Sequence, residues 1–236
     1  MSLFVIADLH LSLSADKPMD IFGGWEDYVE RLENNWQRKI KPDDTVVIPG
    51  DISWAMNLEQ SYKDFEFIEK LNGKKIILKG NHDYWWNTKN KMEIFFAKKG
   101  FSTINILHND HYEYNGFGIC GSRGWISESS EPGDKKVLAR EAGRLTLSIE
   151  SALKARLEPV VFLHYPPIFG NSYNYEILEV LHKYGIKWCF YGHIHGKGGD
   201  YALNGCRDGI NYRLISSDYL QFDPLDITKI VQNDNL

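Results

Sequence analysis

Two rhythms of apolar residues alternate along this chain. Short apolar runs at 3–7, 46–48, 76–78, 160–163 and 188–191 each lead, within three residues, to a residue able to bind a cation or move a proton. Between them, apolar positions recur every three or four residues, the spacing of a helix with one buried face. Trp25, Tyr28, Val29, Leu32, Trp36 and Ile40 predict a first helix, ended by Lys41-Pro42-Asp43-Asp44. Tyr62, Phe65, Ile68 and Leu71 predict a second over 58–71, with Asn72-Gly73 as its stop. A third over 88–99 closes at Gly100. Strands and helices therefore alternate through the first hundred residues, which predicts a parallel sheet with crossover helices.

From Phe101 the runs shorten, and Asn115-Gly116 is a strong hairpin signal, so a second, more antiparallel sheet region is expected. Further on, the pattern predicts a loop over 121–133, a long helix over 136–157, and a β-α-β unit with its helix over 175–184. A closing strand over 212–216 and a polar tail over 231–236 follow. The stretch from Ser12 through Lys17 to Gly23-Gly24 is too polar and broken for regular structure and is expected to form a rim. No linker, repeat or low-complexity tract interrupts the 236 residues, so the expectation is a single α/β domain over 1–236.

Composition narrows the function. An apolar fraction of 43% and a charged fraction of 25% are those of a soluble globular protein. A net charge of −5 gives no electrostatic footprint for a nucleic-acid backbone, although bound cations would add local positive charge. Cys120, Cys189 and Cys206 have no paired spacing, so no disulfide framework is expected. The first strand starts at once and reaches Asp8, leaving no space for a signal peptide, and no run is long enough to span a membrane. A cytoplasmic location is the expectation.

The candidate chemistry sits where strands end, because there the sheet fixes the backbone while side chains reach solvent. Five strand ends present Asp8-Leu9-His10, Gly50-Asp51, Gly80-Asn81-His82-Asp83, His164 and Gly192-His193-Ile194-His195. Singly, each has an ordinary reading: a cap, a turn, a satisfied histidine. Jointly, they place oxygen and imidazole ligands at five separate points. The absence of thiolate suits Mn, Fe, Co or Zn in a reactive site and disfavours a structural zinc knot. Seven ligands are too many for one ion. Two divalent ions roughly 3.5 to 4 Å apart would share one carboxylate, and Asp51, alone at its strand end, is the natural bridge.

This series of blocks, in this order, resembles the calcineurin-like metallophosphoesterase superfamily. The resemblance implies a four-layer αββα sandwich with a dinuclear centre between two sheets. It implies that Asp8, His10 and His195 with Asp51 hold one metal, that Asn81, His164 and His193 with Asp51 hold the other, and that His82 is the general acid. Protein Ser/Thr phosphatases of the superfamily carry Asp-Arg where this chain has Trp54-Ala55. Purple acid phosphatases carry a ligating tyrosine at Trp54. The nearest comparison is therefore the small phosphohydrolases and phosphodiesterases.

A metal-dependent phosphohydrolase attacking a small phosphoester with a metal-bridging hydroxide is the leading expectation. A phosphodiesterase or nuclease, and a non-catalytic metal-binding scaffold, are the alternatives. Asp83, adjacent to His82, is expected either to be an acceptor that orients a ligand histidine or to cap the loop. Arg123, after the strand over 117–120, is a candidate phosphate clamp. Trp54 and Trp85, with Trp86 and Trp125 nearby, are candidates for stacking a leaving group or for packing the loops.

Overall fold

A computed structural model gives the protein's structure over residues 1–125 and 132–232; residues 126–131 of the expected loop and 233–236 of the expected tail lie outside the described residues. The elements in chain order are β1 (Leu3–Val5), α1 (Tyr28–Lys39), β2 (Thr45–Pro49), α2 (Tyr62–Lys70), β3 (Lys74–Leu78), α3 (Lys89–Lys99) and β4 (Ile104–Ile106). Then come β5 (Tyr112–Tyr114), β6 (Phe117–Ser122), α4 (Pro132–Lys154), β7 (Glu158–Leu163), β8 (Ile168–Phe169), β9 (Ser172–Tyr173), α5 (Tyr175–Lys183) and β10 (Trp188–Tyr191). The chain closes with β11 (Gly205–Arg207), β12 (Ile210–Leu214), β13 (Leu225–Asp226) and α6 (Thr228–Gln232).

The strands make two large sheets. One has the order β13-β1-β2-β3-β4, the other β11-β12-β10-β7-β6-β5. In the first, β1 to β4 are parallel and β13 is an antiparallel edge. In the second, β7 and β10 are parallel, as the expected β-α-β unit implies, but β6 and β12 are parallel too, so the region is less antiparallel than expected and only the edges β5 and β11 run antiparallel. The reason is connectivity, since α4 joins β6 to β7 and α5 joins β7 to β10, and a helical crossover returns a strand in the same direction. The Asn115-Gly116 hairpin does form, with both residues at positive φ and Tyr114 opposite Phe117.

Alternation along the strands creates the layers. In β2, Val46 and Ile48 face an outer core with Leu32 and Trp36 of α1, Phe65 and Ile68 of α2, and Met92 and Phe96 of α3. Val47 faces the other way, into an inner core where Leu3, Val5 and Ile76 of the first sheet meet Ile119, Val160, Phe162 and Phe190 of the second. A second outer core joins Val161, Leu163 and Cys189 to Leu145 and Ile149 of α4 and Ile177 and Leu181 of α5. Helix, sheet, sheet, helix is thus a four-layer αββα sandwich. Both sides of the central strands are covered, which explains their unbroken apolar runs.

The helices begin later than their periodicity suggests: α1 starts at Tyr28 and α2 at Tyr62. α3 is capped as its sequence implies, by Thr88 accepting from the Lys91 amide and by Gly100 at φ 77°. The expected tail is corrected in part, because α6 packs Val231 into the inner core. All three cysteines are free thiols. Among the described residues no helix is long and apolar enough to cross a membrane.

Candidate metal centre

Parallel strands in both sheets point their carboxyl ends to the same edge of the sandwich. Backbone bonds then lock the loops that follow. The Asp8 amide donates to Gly50 O at 3.0 Å and the His10 amide to Asp51 O at 2.9 Å, while Gly192 N donates to His164 O at 3.1 Å. The two sheets meet through His164, whose Nδ1 lies 3.1 Å from Pro49 O. Glycines make this closeness attainable. A Cβ on Gly80 would overlap the Asp51 carboxylate, and one on Gly192 would overlap that of Asp8.

Four of the ligand candidates hold left-handed backbone: Asp8 at φ 60°, His10 at 46°, Asp51 at 49° and His193 at 72°. Such a conformation costs a non-glycine residue about 1 kcal/mol or more, though Asp and His tolerate it better than most. Strain gathered at one spot points to a job for that spot.

The side chains form two groups whose ligand atoms lie within 4.8 Å of one another: Asp8, His10 and His195, and Asp51, His164 and His193. Asn81 joins the second, its Oδ1 being 2.6 Å from His164 Nε2. Asp51 lies between them. Its Oδ2 is 3.6 Å from His10 Nε2 and its Oδ1 is 3.6 Å from His164 Nε2.

Electrostatics fit a cation at each group. Burial opposes charge on Asp8, yet nearby His195, with His164 and His10, holds its carboxyl well below the usual range. Asp8 Oδ1 is nevertheless buried without a hydrogen-bond donor. Burial, then the Asp8 charge, pushes the Asp51 carboxyl up to about 8. His10 and His164 are pushed down chiefly by burial, and His193 down to about 3 by burial and then by His164. Burial opposes charge on His195 too, but Asp218 and Asp8 push it up to about 10, so an ion entering the Asp8 group displaces its proton. His10, His164 and His193, by contrast, stand neutral beside two crowded carboxylates. The donors are oxygen and nitrogen only, which suits borderline divalent ions.

Asp218, which sequence reading missed, accepts from His195 Nδ1 at 2.8 Å and from the Gly196 amide at 2.8 Å. It turns His195 Nε2 toward Asp8 Oδ1, 3.6 Å away. Its signal was the same as that of the ligands, a carboxylate just beyond the end of β12.

His82 belongs to neither group. It is half-buried, with its ring 5.8 Å from that of His10 and 4.4 Å from that of Trp54. Its Nδ1 faces Tyr84 Oη at 3.3 Å, not Asp83. Of the two readings of Asp83, an acceptor that orients a ligand histidine is corrected, since no histidine among the described residues donates to it. Its fully buried carboxylate accepts from the amides of Gly80, Asp51, Ile52 and Ser53 and from the Trp85 indole.

Trp85 as a stacking residue is also corrected. It has no exposed surface and packs edge-on against Phe65 in the outer core. Trp54 is half-buried, but its ring stacks on His10 at 5.0 Å and carries the Lys17 ammonium at 5.3 Å, so it walls the site. Arg123 lies off the ligand groups, its guanidinium 4.7 Å from the Trp125 ring and 3.9 Å from Glu141.

No curated protein sequence matches this chain. Among solved structures, a protein of unknown function from Aquifex aeolicus is similar over 98% of both chains, at 17% identity and a TM-score of 0.54. Another covers 89% of this chain and 88% of its own, at 13% identity and a TM-score of 0.58. Both likenesses are of fold. A phosphopantetheinyl hydrolase from Mycobacterium tuberculosis covers 94% of this chain and 90% of its own, at 14% identity and a TM-score of 0.47. The calcineurin-like phosphoesterase family matches residues 1–197, a span that contains every strand-end ligand described above. With that match over most of its length, the chain belongs to the calcineurin-like phosphoesterase family and is a phosphoric ester hydrolase.

Proposed function

We propose that the chain hydrolyses a small phosphoester at a dinuclear centre. Asp8, His10 and His195 would hold one divalent ion (Mn, Fe, Zn or Co) and Asn81, His164 and His193 a second, with Asp51 shared. The observation that carries this reading is the Asp51 carboxylate, with one oxygen 3.6 Å from a histidine of each group. When bound, the ions would supply Lewis acidity toward the phosphoryl oxygens and toward water.

The chain's own residues orient and donate. The Pro49 carbonyl accepts a hydrogen bond from His164 Nδ1–H, which leaves the lone pair of Nε2 on the ligand side. Asp218 does the same for His195. Asp83 fixes the backbone beneath Asp51. His82, outside both groups yet beside them, gives a proton to the departing oxygen. Trp54 confines its ring, and in the protonated ring Nδ1–H donates to the Tyr84 hydroxyl, so that the imidazolium gives its Nε2 proton and is left neutral.

The test is a panel of phosphomonoesters and phosphodiesters, assayed after chelation and after readdition of each metal singly. Hydrolysis that chelation abolishes and one of these metals restores is expected, with about two ions bound per chain. Asp51→Asn should lose activity and most of the second ion, because a neutral amide bridges two cations poorly. Two retained ions with normal turnover would remove Asp51 from this role.

A further inference from the structure

Beside the ligand groups, toward α3 and α4, lies a cleft of about 280 Å³ whose wall includes Lys79, Trp86, Thr88, Arg123, Glu141 and Arg144. It grows from the same two strand ends as the second ligand group. Lys79 stands two residues before Asn81, beyond the end of β3. Ser122 pairs with Leu163 in register, which sets Arg123 alongside His164, and Arg123 O accepts the Tyr165 amide at 2.9 Å.

The wall carries two positive charges in excess, counting histidine neutral. One buried carboxylate, Glu141, serves three guanidinium groups, at 2.7 Å to Arg144 and 3.9 Å to both Arg123 and Arg140. Arg123 Nε is buried without a hydrogen-bond partner. Lys79, half-buried, makes no hydrogen bond or ion pair among the described residues. Clustering like charges out of water is costly unless an anion answers them. This happens in a chain with 32 acidic against 27 basic residues, so a general basic surface does not explain it. α3 aims its amino end at the same cleft through Thr88, adding the partial positive charge of unpaired amides.

We infer that this cleft takes a second anionic group of the substrate, a phosphate or carboxylate, so that the substrate class is a small phosphoester bearing two anionic groups. This rests on the reading of the ligand groups as the place of hydrolysis. Lys79 and Asn81, two residues apart, are separated by at most about 7 Å of chain, so one small molecule reaches both places. Guanidinium groups held by Glu141 offer paired donors suited to such an anion. Trp86 supplies an apolar wall for the part between.

The experiment compares kcat/KM of the metal-loaded protein on glucose 6-phosphate against glucose 1,6-bisphosphate, and on adenosine 5′-monophosphate against adenosine 3′,5′-bisphosphate. We expect a preference of about tenfold or more for the doubly anionic member of at least one pair. Lys79→Ala, which removes no bond in the folded state, and Arg144→Gln should each cut that ratio at least threefold. No preference in the wild type, or an intact one in both variants, overturns the inference.

Failure to hydrolyse any of the four would instead bring down the reading of the ligand groups, and calorimetry then decides the cleft. Tighter binding of the bisphosphate than the monophosphate, lost in Lys79→Ala, supports it. Equal binding overturns it, as does binding of inorganic phosphate without any bisphosphate preference.

Discussion

The Asp83 carboxylate accepts the backbone amide of Asp51 at 2.9 Å, so the residue placed between the two ligand groups is held by a carboxylate from the neighbouring strand end. The same oxygen takes the Gly80 amide at 2.7 Å, and the other takes Ile52, Ser53 and the Trp85 indole. Both oxygens face only donors. An asparagine must therefore turn its NH₂ against N–H groups whichever way it is set. Asp83→Asn should destabilise the protein by about 3 kcal/mol, the cost of stranding buried donors. Denaturant unfolding measures it; a loss under about 0.5 kcal/mol, as for a surface change, would contradict this account.

If the Asp8 group holds an ion as proposed, Asp218 would act on its affinity by way of His195, since it meets the ring at Nδ1 and leaves Nε2 toward Asp8. Partners of ligating histidines typically change affinity 10- to 100-fold when removed. Asp218→Ala should weaken binding at the Asp8 group by about that factor. Occupancy at the Asp51 group should change less. Metal titration with two resolved binding steps checks this, and equal weakening of both steps would count against it.

The strand ends were legible because one rule covers them: an apolar run long enough to cross the sheet, then a polar residue held at its carboxyl end. Asp8, Asp51, Asn81, His164 and His193 all follow it, and the two groups they form with His10 and His195 are those expected from the resemblance. Asp218 follows the same rule but stands after β12, where Ser216 and Ser217 blur the run. Trp85 and Asp83 misled for a physical reason. The chain bends and turns after β3, and these two side chains are buried, Asp83 among backbone amides and Trp85 in the outer core, while Asn81 and His82 stay half-buried. The parallel direction of β7 and β10 was legible from the helix between them, whereas that of β6 and β12 was masked by the short runs and the Asn115-Gly116 hairpin beside them.

Lys75 is fully buried in β3, with its ammonium on Leu71 O at 2.6 Å. Burial, against the weaker pull of Glu69, pushes it down from 10.5 to about 8. The unfolded chain then binds the proton more tightly than the folded one. Stability should rise as pH climbs from about 8 toward 10.5, and the contribution is absent below that window because lysine is charged in both states. The difference in unfolding free energy between wild type and Lys75→Met should grow between pH 7.5 and 9.5. A flat or falling difference would refute the assignment.

His82 offers the sharpest test, because its role differs from that of every histidine around it. It stands outside both ligand groups, its amide donates to Asp51 Oδ1 at 2.8 Å, and its ring meets Trp54 and the Tyr84 hydroxyl. If it gives a proton to the departing oxygen, its loss must hurt most when that oxygen leaves as a poor leaving group. General-acid help is typically worth about 10² to 10⁴-fold. His82→Ala should lose about that much on alkyl phosphates and far less on esters of acidic phenols, while keeping its metal content. Tyr84→Phe, which removes only the oxygen facing Nδ1, should reproduce the same slope at smaller amplitude. The measurement is kcat/KM across esters graded in leaving-group pKa, with metal analysis on the same samples. A uniform loss over the series would make His82 a stabiliser of transition-state charge, and loss of metal would make it a ligand; only a steeper dependence on leaving-group pKa in the variant marks a proton donor.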